Sequence, residues 1–190
     1  MKRMLSHILV FVLALLLIPF SALASGNISE LEEDDTISVV VTGNKINSTS
    51  VSITNKTNTA VTVEIGHGTW FQSNSSSAQN MLVTNSRTVE LAANETRSIN
   101  VPTACMNIKR DIPTSSNRFT VNYEPTSKLA KLVAYLDENN CSYEVIQAAV
   151  WIITDEVSDS TLRGALVNQS GSSVIKQSHI DEARRIIAGL

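Results

Sequence analysis

The chain has 190 residues, with 15 Lys plus Arg against 18 Asp plus Glu and a formal net charge of −3. That length allows one ordinary domain or two small ones. The balance is weakly acidic and no basic patch stands out, which excludes nucleic acid as an expected partner.

Residues 1–24 read as a signal peptide. Lys2 and Arg3 give a positive start, an apolar run spans Ile8 to Phe20, and Ser21-Ala22-Leu23-Ala24-Ser25 offers the small-x-small pattern that signal peptidases cut, here after Ala24. The run is short for a span of ~20 residues. No Cys follows it to carry a lipid, and no second apolar stretch reaches spanning length. The expectation is a secreted or cell-surface protein with no stable membrane span once the signal is removed. Residues 25–35 end in Glu32-Glu33-Asp34-Asp35 and read as a flexible acidic leader, because a charge run is usually solvated.

From residue 36 to 124 the period is that of strands. ISVVVTG is rich in β-branched residues, and VSITN and AVTVEIG alternate around the turn Asn55-Lys56-Thr57-Asn58. QNMLVT, RTVELA, RSINVP and RFTVNY follow. About seven or eight short strands at regular spacing predict an immunoglobulin-like antiparallel β-sandwich. Residues 125–190 switch to a helical period and predict a small C-terminal helical bundle. Leu129, Leu132, Val133 and Leu136 mark the first helix, starting at Thr126 or Ser127. Ser142 caps a second that ends near Asp155, and Thr161 to Val167 forms a third. Ser178 with Asp181 caps the last, whose face is Ile180, Ala183, Ile187 and Leu190.

Few residues offer chemistry. His67 lies between two glycines in EIGHGTWF, which signals a tight turn, and His179 falls in the first turn of the last helix. Trp70 and Phe71 read as inward-facing strand residues beside a polar loop. Asp155 and Glu156 follow an apolar helix and read as solvated. No metal-ligand spacing, phosphate loop or nucleophile elbow is present, so no metal, no cofactor and no enzymatic turnover are expected. The N-x-[ST] pattern makes Asn27, Asn47, Asn55, Asn74, Asn94, Asn140 and Asn168 glycosylation candidates.

Cys105 and Cys141 are the only cysteines. In an exported chain they suggest a disulfide. It would close a loop of about 36 residues, worth about 3–4 kcal/mol in the chain-entropy account. A second reading starts from Gln147, the one polar residue in the apolar run Val145 to Ile153. A buried amide without partners costs about 1–3 kcal/mol. Either it ties the helix to a strand end, near the backbone of Cys105, or the Cys105 thiolate attacks its carbonyl carbon. In the second case ammonia leaves and an internal thioester remains, open to a nucleophile such as a lysine amine.

The segments ACMN (Ala104 to Asn107), with Pro113 nearby, and QAAVW (Gln147 to Trp151) resemble the thioester domains of bacterial surface adhesins. The resemblance implies Cys105 as thiol and Gln147 as acyl donor. Ile146 stands where that family commonly has Thr, and the C-terminus carries no Leu-Pro-x-Thr-Gly sorting motif. The expected function is binding or adhesion to an extracellular protein or cell-surface ligand. Two other expectations stand beside it. One is a non-catalytic accessory of the envelope or surface layer, held by a disulfide and glycans. The other is a secreted enzyme or inhibitor acting through the HGTWF loop.

Overall fold

The computed structural model describes residues 24–190. The expected signal peptide, apart from Ala24, lies outside the described residues. In chain order the elements are β1 Ala24–Asn27, α1 Ile28–Glu33, β2 Ile37–Lys45, β3 Ser48–Asn55, β4 Val61–Ile65, β5 Thr69–Ser73 and β6 Met81–Val83. There follow β7 Arg87–Leu91, β8 Thr96–Cys105, β9 Arg118–Tyr123, α2 Lys128–Glu138, α3 Tyr143–Asp155, α4 Asp159–Ala165 and α5 Gln177–Ala188.

The strands are where the alternation places them, but they do not form an immunoglobulin-like sandwich. Six of them close into a barrel in the order β2-β3-β8-β6-β5-β9, and β1-β4-β7 form a separate three-stranded sheet. The closure is made by β9. It pairs with β5 from Thr69↔Tyr123 to Ser73↔Phe119, and with β2 through Val41↔Phe119 and Thr42↔Arg118. Strand β8 is long enough to serve two neighbours. It meets β3 over Thr96 to Pro102 and β6 over Thr103 to Cys105. Alternation fixes which face of a strand is buried, and both architectures need the same alternation. Which edges meet is a non-local property that alternation does not carry.

Residues 25–35 are a second correction. Rather than a flexible leader, they are folded. Strand β1 pairs in parallel with β4 from Ala24↔Val61 to Asn27↔Glu64. Asn27 then caps α1: its side-chain oxygen accepts the Ser29 N–H at 2.9 Å, and Glu30 reaches back to the Asn27 N–H. Ile28 and Leu31 are buried, while Glu30, Glu33, Asp34 and Asp35 stay exposed. In so short a helix the two apolar residues are hidden among charges, yet they suffice to anchor it.

Helices α2, α3 and α4 begin on hydroxyl caps. Ser127 accepts the Ala130 N–H at 3.1 Å, and Ser142 accepts the Val145 N–H at 3.4 Å. Helix α4 starts two residues before the expected Thr161, because Ser158 caps it. Helix α5 begins after Lys176, whose N–H donates to His179 Nδ1 at 3.2 Å, so Ser178 and Asp181 are not its cap. It buries Ile180, Ala183 and Ile186, and leaves Leu190 exposed.

Barrel residues such as Val51, Phe71 and Val101, sheet residues such as Val63 and Leu91, and helical residues such as Leu132, Val150 and Trp151 belong to one core. The β and α parts expected as 36–124 and 125–190 are therefore not separately cored.

Candidate functional site

The site is built on one stripe of α3. Tyr143, Gln147, Trp151 and Asp155 are spaced by four residues, so they lie along one face of the helix. Each polar group on that stripe engages the end of β8 or the loops beside it. Gln147 is fully buried. Its Oε1 accepts the Cys105 N–H at 2.9 Å, and its Nε2 donates to the Cys105 carbonyl at 2.8 Å. One turn back, the Tyr143 hydroxyl lies 2.9 Å from Gln147 Oε1 and 3.2 Å from the Ile46 carbonyl. One turn on, the Trp151 indole N–H points to Gln79 Oε1 at 3.4 Å, and Gln79 Nε2 donates to the Arg110 carbonyl at 3.0 Å. At the end of the helix Asp155 accepts the N–H groups of Asn107 and Ile108, at 3.2 and 3.1 Å. Asp155 is thus partly buried and bonded to the backbone. It clamps the chain two and three residues after Cys105.

The fold brings Cys105 and Gln147 together across 42 positions of sequence. The Cys105 Sγ is buried, 3.5 Å from the Ile46 carbonyl and 3.8 Å from Met81 Sδ. Burial pushes its thiol from the ordinary 9.0 up to about 12, so at neutral pH it is a thiol and not a thiolate. Burial also raises the Tyr143 phenol, with smaller contributions from Cys105 and Glu144. Tyr143 therefore remains a hydrogen-bond donor. Cys141 is not joined to Cys105; both are free thiols. Cys141 is half-buried, and its thiol is raised by burial and by Glu182, against a lowering by Arg185.

The raised Cys105 thiol has a consequence for stability. The folded chain keeps this proton to higher pH than the unfolded chain does. The stabilisation is complete below pH 9.0 and is lost as pH rises from there toward about 12. Denaturant unfolding of the free-thiol protein across that window is expected to show a steeper loss of stability than the Cys105→Ala variant. Equal slopes would mean that Cys105 carries no titrating thiol.

Next to the buried pair is a cleft of about 310 Å³. Its walls include Asn47, Thr84, Asn85, Asp137, Asn140 and Tyr143, and Cys141 opens onto it. Asp137 accepts from His67 Nε2 at 2.8 Å, from Asn85 Nδ2 and from the Ser86 N–H at 3.4 Å. The His67 turn is thereby held to the end of α2. Gly68 in that turn has φ +95°, and a Cβ there would sit 2.8 Å from the Glu124 carbonyl oxygen, so only glycine fits. Phe71 is fully buried and Trp70 half-buried.

The sequons divide sharply. Asn27 and Asn55 are buried and their amide nitrogens are occupied. Asn27 Nδ2 reaches Thr69 Oγ1 at 3.5 Å, and Asn55 Nδ2 donates to the carbonyls of Thr59 and Ala92 at 2.7 and 2.8 Å. The folded chain does not offer them for glycosylation. Asn47, Asn74, Asn94, Asn140 and Asn168 are exposed.

Among the described residues no group of three or more His, Cys, Asp or Glu side chains is placed to hold a metal ion, and no helix is long and apolar enough to cross a membrane. Sequence reasoning missed Tyr143, Asp155 and Asp137. The spacing of four that joins Tyr143 and Asp155 to Gln147 is a signal that could have found the first two. Asp137 belongs to the site through contacts distant in sequence. Comparison with protein-family models, with curated proteins and with solved structures returns no match.

Proposed function

We propose that this is an exported, cell-surface or extracellular binding protein that attaches to its partner through an internal thioester between Cys105 and Gln147. One observation carries the reading. The Gln147 carbonyl oxygen is held by two donors, the Cys105 backbone N–H and the Tyr143 hydroxyl. Donors fixed on a carbonyl oxygen polarise its carbon and stabilise the oxyanion that attack creates. The same two residues carry the resemblance to thioester domains of surface adhesins.

The chemistry balances without a cofactor. Sγ bonds to Gln147 Cδ, the Cδ–Nε2 bond breaks, and ammonia leaves with the thiol proton. A primary amine of the partner later attacks the same carbon. An amide forms, the S–C bond breaks, and Sγ regains a proton. The raised thiol makes the first step slow, because the thiolate is the nucleophile. Holding Gln147 on the backbone of the same cysteine keeps the two residues together, which offsets this through effective concentration.

A second reading has its own support. Both polar atoms of Gln147 are already paired with the Cys105 backbone. In that reading Gln147 is a structural amide and the protein binds without covalent attachment. The intact mass of the purified protein, taken without reductant, separates the two. A deficit of one ammonia, replaced by an adduct on treatment with methylamine, is the expected result. A full calculated mass sinks the thioester and leaves the structural amide. A deficit of two hydrogens restored by reductant identifies a disulfide.

A further inference from the structure

We infer that the cleft beside Tyr143 is the channel along which the acyl acceptor reaches Gln147, with Tyr143 as its inner wall and Asp137 as the group that draws a cationic amine into it. The inference rests on the thioester reading of Cys105 and Gln147.

Gln147 has no exposed surface, so an acceptor cannot reach its carbonyl from outside without a path. Tyr143 lines the cleft and touches Gln147 at 2.9 Å through its hydroxyl, and Ile146, the chain neighbour of Gln147, lines it too. Tyr143 is half-buried, and its hydroxyl reaches Gln147 and the Ile46 carbonyl. On the other side the β2–β3 turn joins the two regions in the same way. The Ile46 carbonyl contacts both the Tyr143 hydroxyl and the Cys105 Sγ, while the adjacent Asn47 lines the cleft. Displacement of the Tyr143 ring or of this turn is the movement by which the cleft would open toward the reacting carbon.

The lining also selects. Among the side chains around the cleft, Asp137 is the one that carries a formal charge, and the amides of Asn47, Asn85 and Asn140 supply neutral polar groups around it. A carboxylate fixed by His67, Asn85 and the Ser86 N–H cannot swing out to meet a ligand, so it marks one place in the cleft. At about 310 Å³ the space suits an extended amine-bearing side chain and not a folded surface. An acceptor presented on a protruding side chain enters, and one lying flat on a protein surface does not.

Cys141 makes the test possible with the protein as it exists. Its half-buried thiol opens onto the cleft, whereas Cys105 is buried. A bulky maleimide added to the Cys141 thiol fills the channel without touching the reacting pair. The probe is Nα-acetyl-lysine amide, followed by intact mass. The labelled protein is expected to keep its ammonia deficit while its rate of adduct formation falls about tenfold or more, because a misplaced acceptor loses the benefit of orientation. Asn47→Trp is expected to act in the same direction, and Asp137→Asn to slow the lysine probe more than it slows hydroxylamine, which is uncharged at neutral pH. An unlabelled protein with no deficit overturns both the thioester and the channel. A deficit that persists, with lysine-probe rates unchanged by the maleimide and by Asn47→Trp, overturns the channel alone.

Discussion

Replacing Gln147 by Leu is expected to lower the unfolding free energy by about 3–5 kcal/mol. The side chain removed is close in size to its replacement, so little of this comes from a cavity. It comes from the groups left behind. The Cys105 N–H and carbonyl and the Tyr143 hydroxyl all lose a partner in the same buried region. Each unpaired group costs about 1–3 kcal/mol, and the Tyr143 hydroxyl retains the Ile46 carbonyl as its alternative acceptor. Relative to the chain in which Cys105 is a free thiol and Gln147 an intact amide, Cys105→Ala keeps every one of these backbone pairings and removes only a sulfur atom, for about 1–2 kcal/mol. Denaturant unfolding of the two variants reads the contrast directly. A Gln147→Leu protein as stable as Cys105→Ala would mean that the amide is not what joins α3 to β8.

Trp151→Ala is the second large effect, expected at about 4–5 kcal/mol. The indole is 1% exposed and is the largest side chain in the core. Truncation leaves a cavity between α3 and the strands, and it strips Gln79 Oε1 of its donor. Gln79 also holds the Arg110 carbonyl, so the loop after Cys105 loosens from a second side. Trp151→Phe separates the two contributions. It retains most of the apolar volume and loses the N–H, for about 1–2 kcal/mol. Thermal unfolding followed by near-ultraviolet circular dichroism measures both. A Trp151→Phe loss equal to the Trp151→Ala loss would place the whole effect in the hydrogen bond.

These two residues also mark the limit of what the sequence conveys. Helix α3 was legible because its information is local: a Ser cap at 142, an apolar run, and a lone Gln within it that demanded an explanation. The proximity of Cys105 and Gln147 followed from chemical reasoning about that Gln. The barrel was not legible. Its closure depends on β9 finding β2 and β5, and nothing in the alternation of RFTVNY names those partners. The order of residues 25–35 was concealed for another reason. Ile28 and Leu31 sit among five acidic residues, so the segment's charge content masks its two apolar anchors. The clamp at Asp155 is not visible locally, because a carboxylate at a helix end is usually wet; here the loop from Asn107 folds back to meet it.

The closing role of β9 bears on how the chain reaches its native state. Until residues 118–123 have been synthesised and released, β2 and β5 each keep one edge of unpaired N–H and carbonyl groups. Open edges recruit other strands, including those of a neighbouring chain. Ring closure between such distant segments is slow, because chain entropy is lost before the contacts that reward it form. A chain halted before Arg118 therefore carries two adhesive borders into a crowded compartment. Its solubility in that interval depends on being kept extended by chaperones, and aggregation of truncated products is the natural failure of this topology.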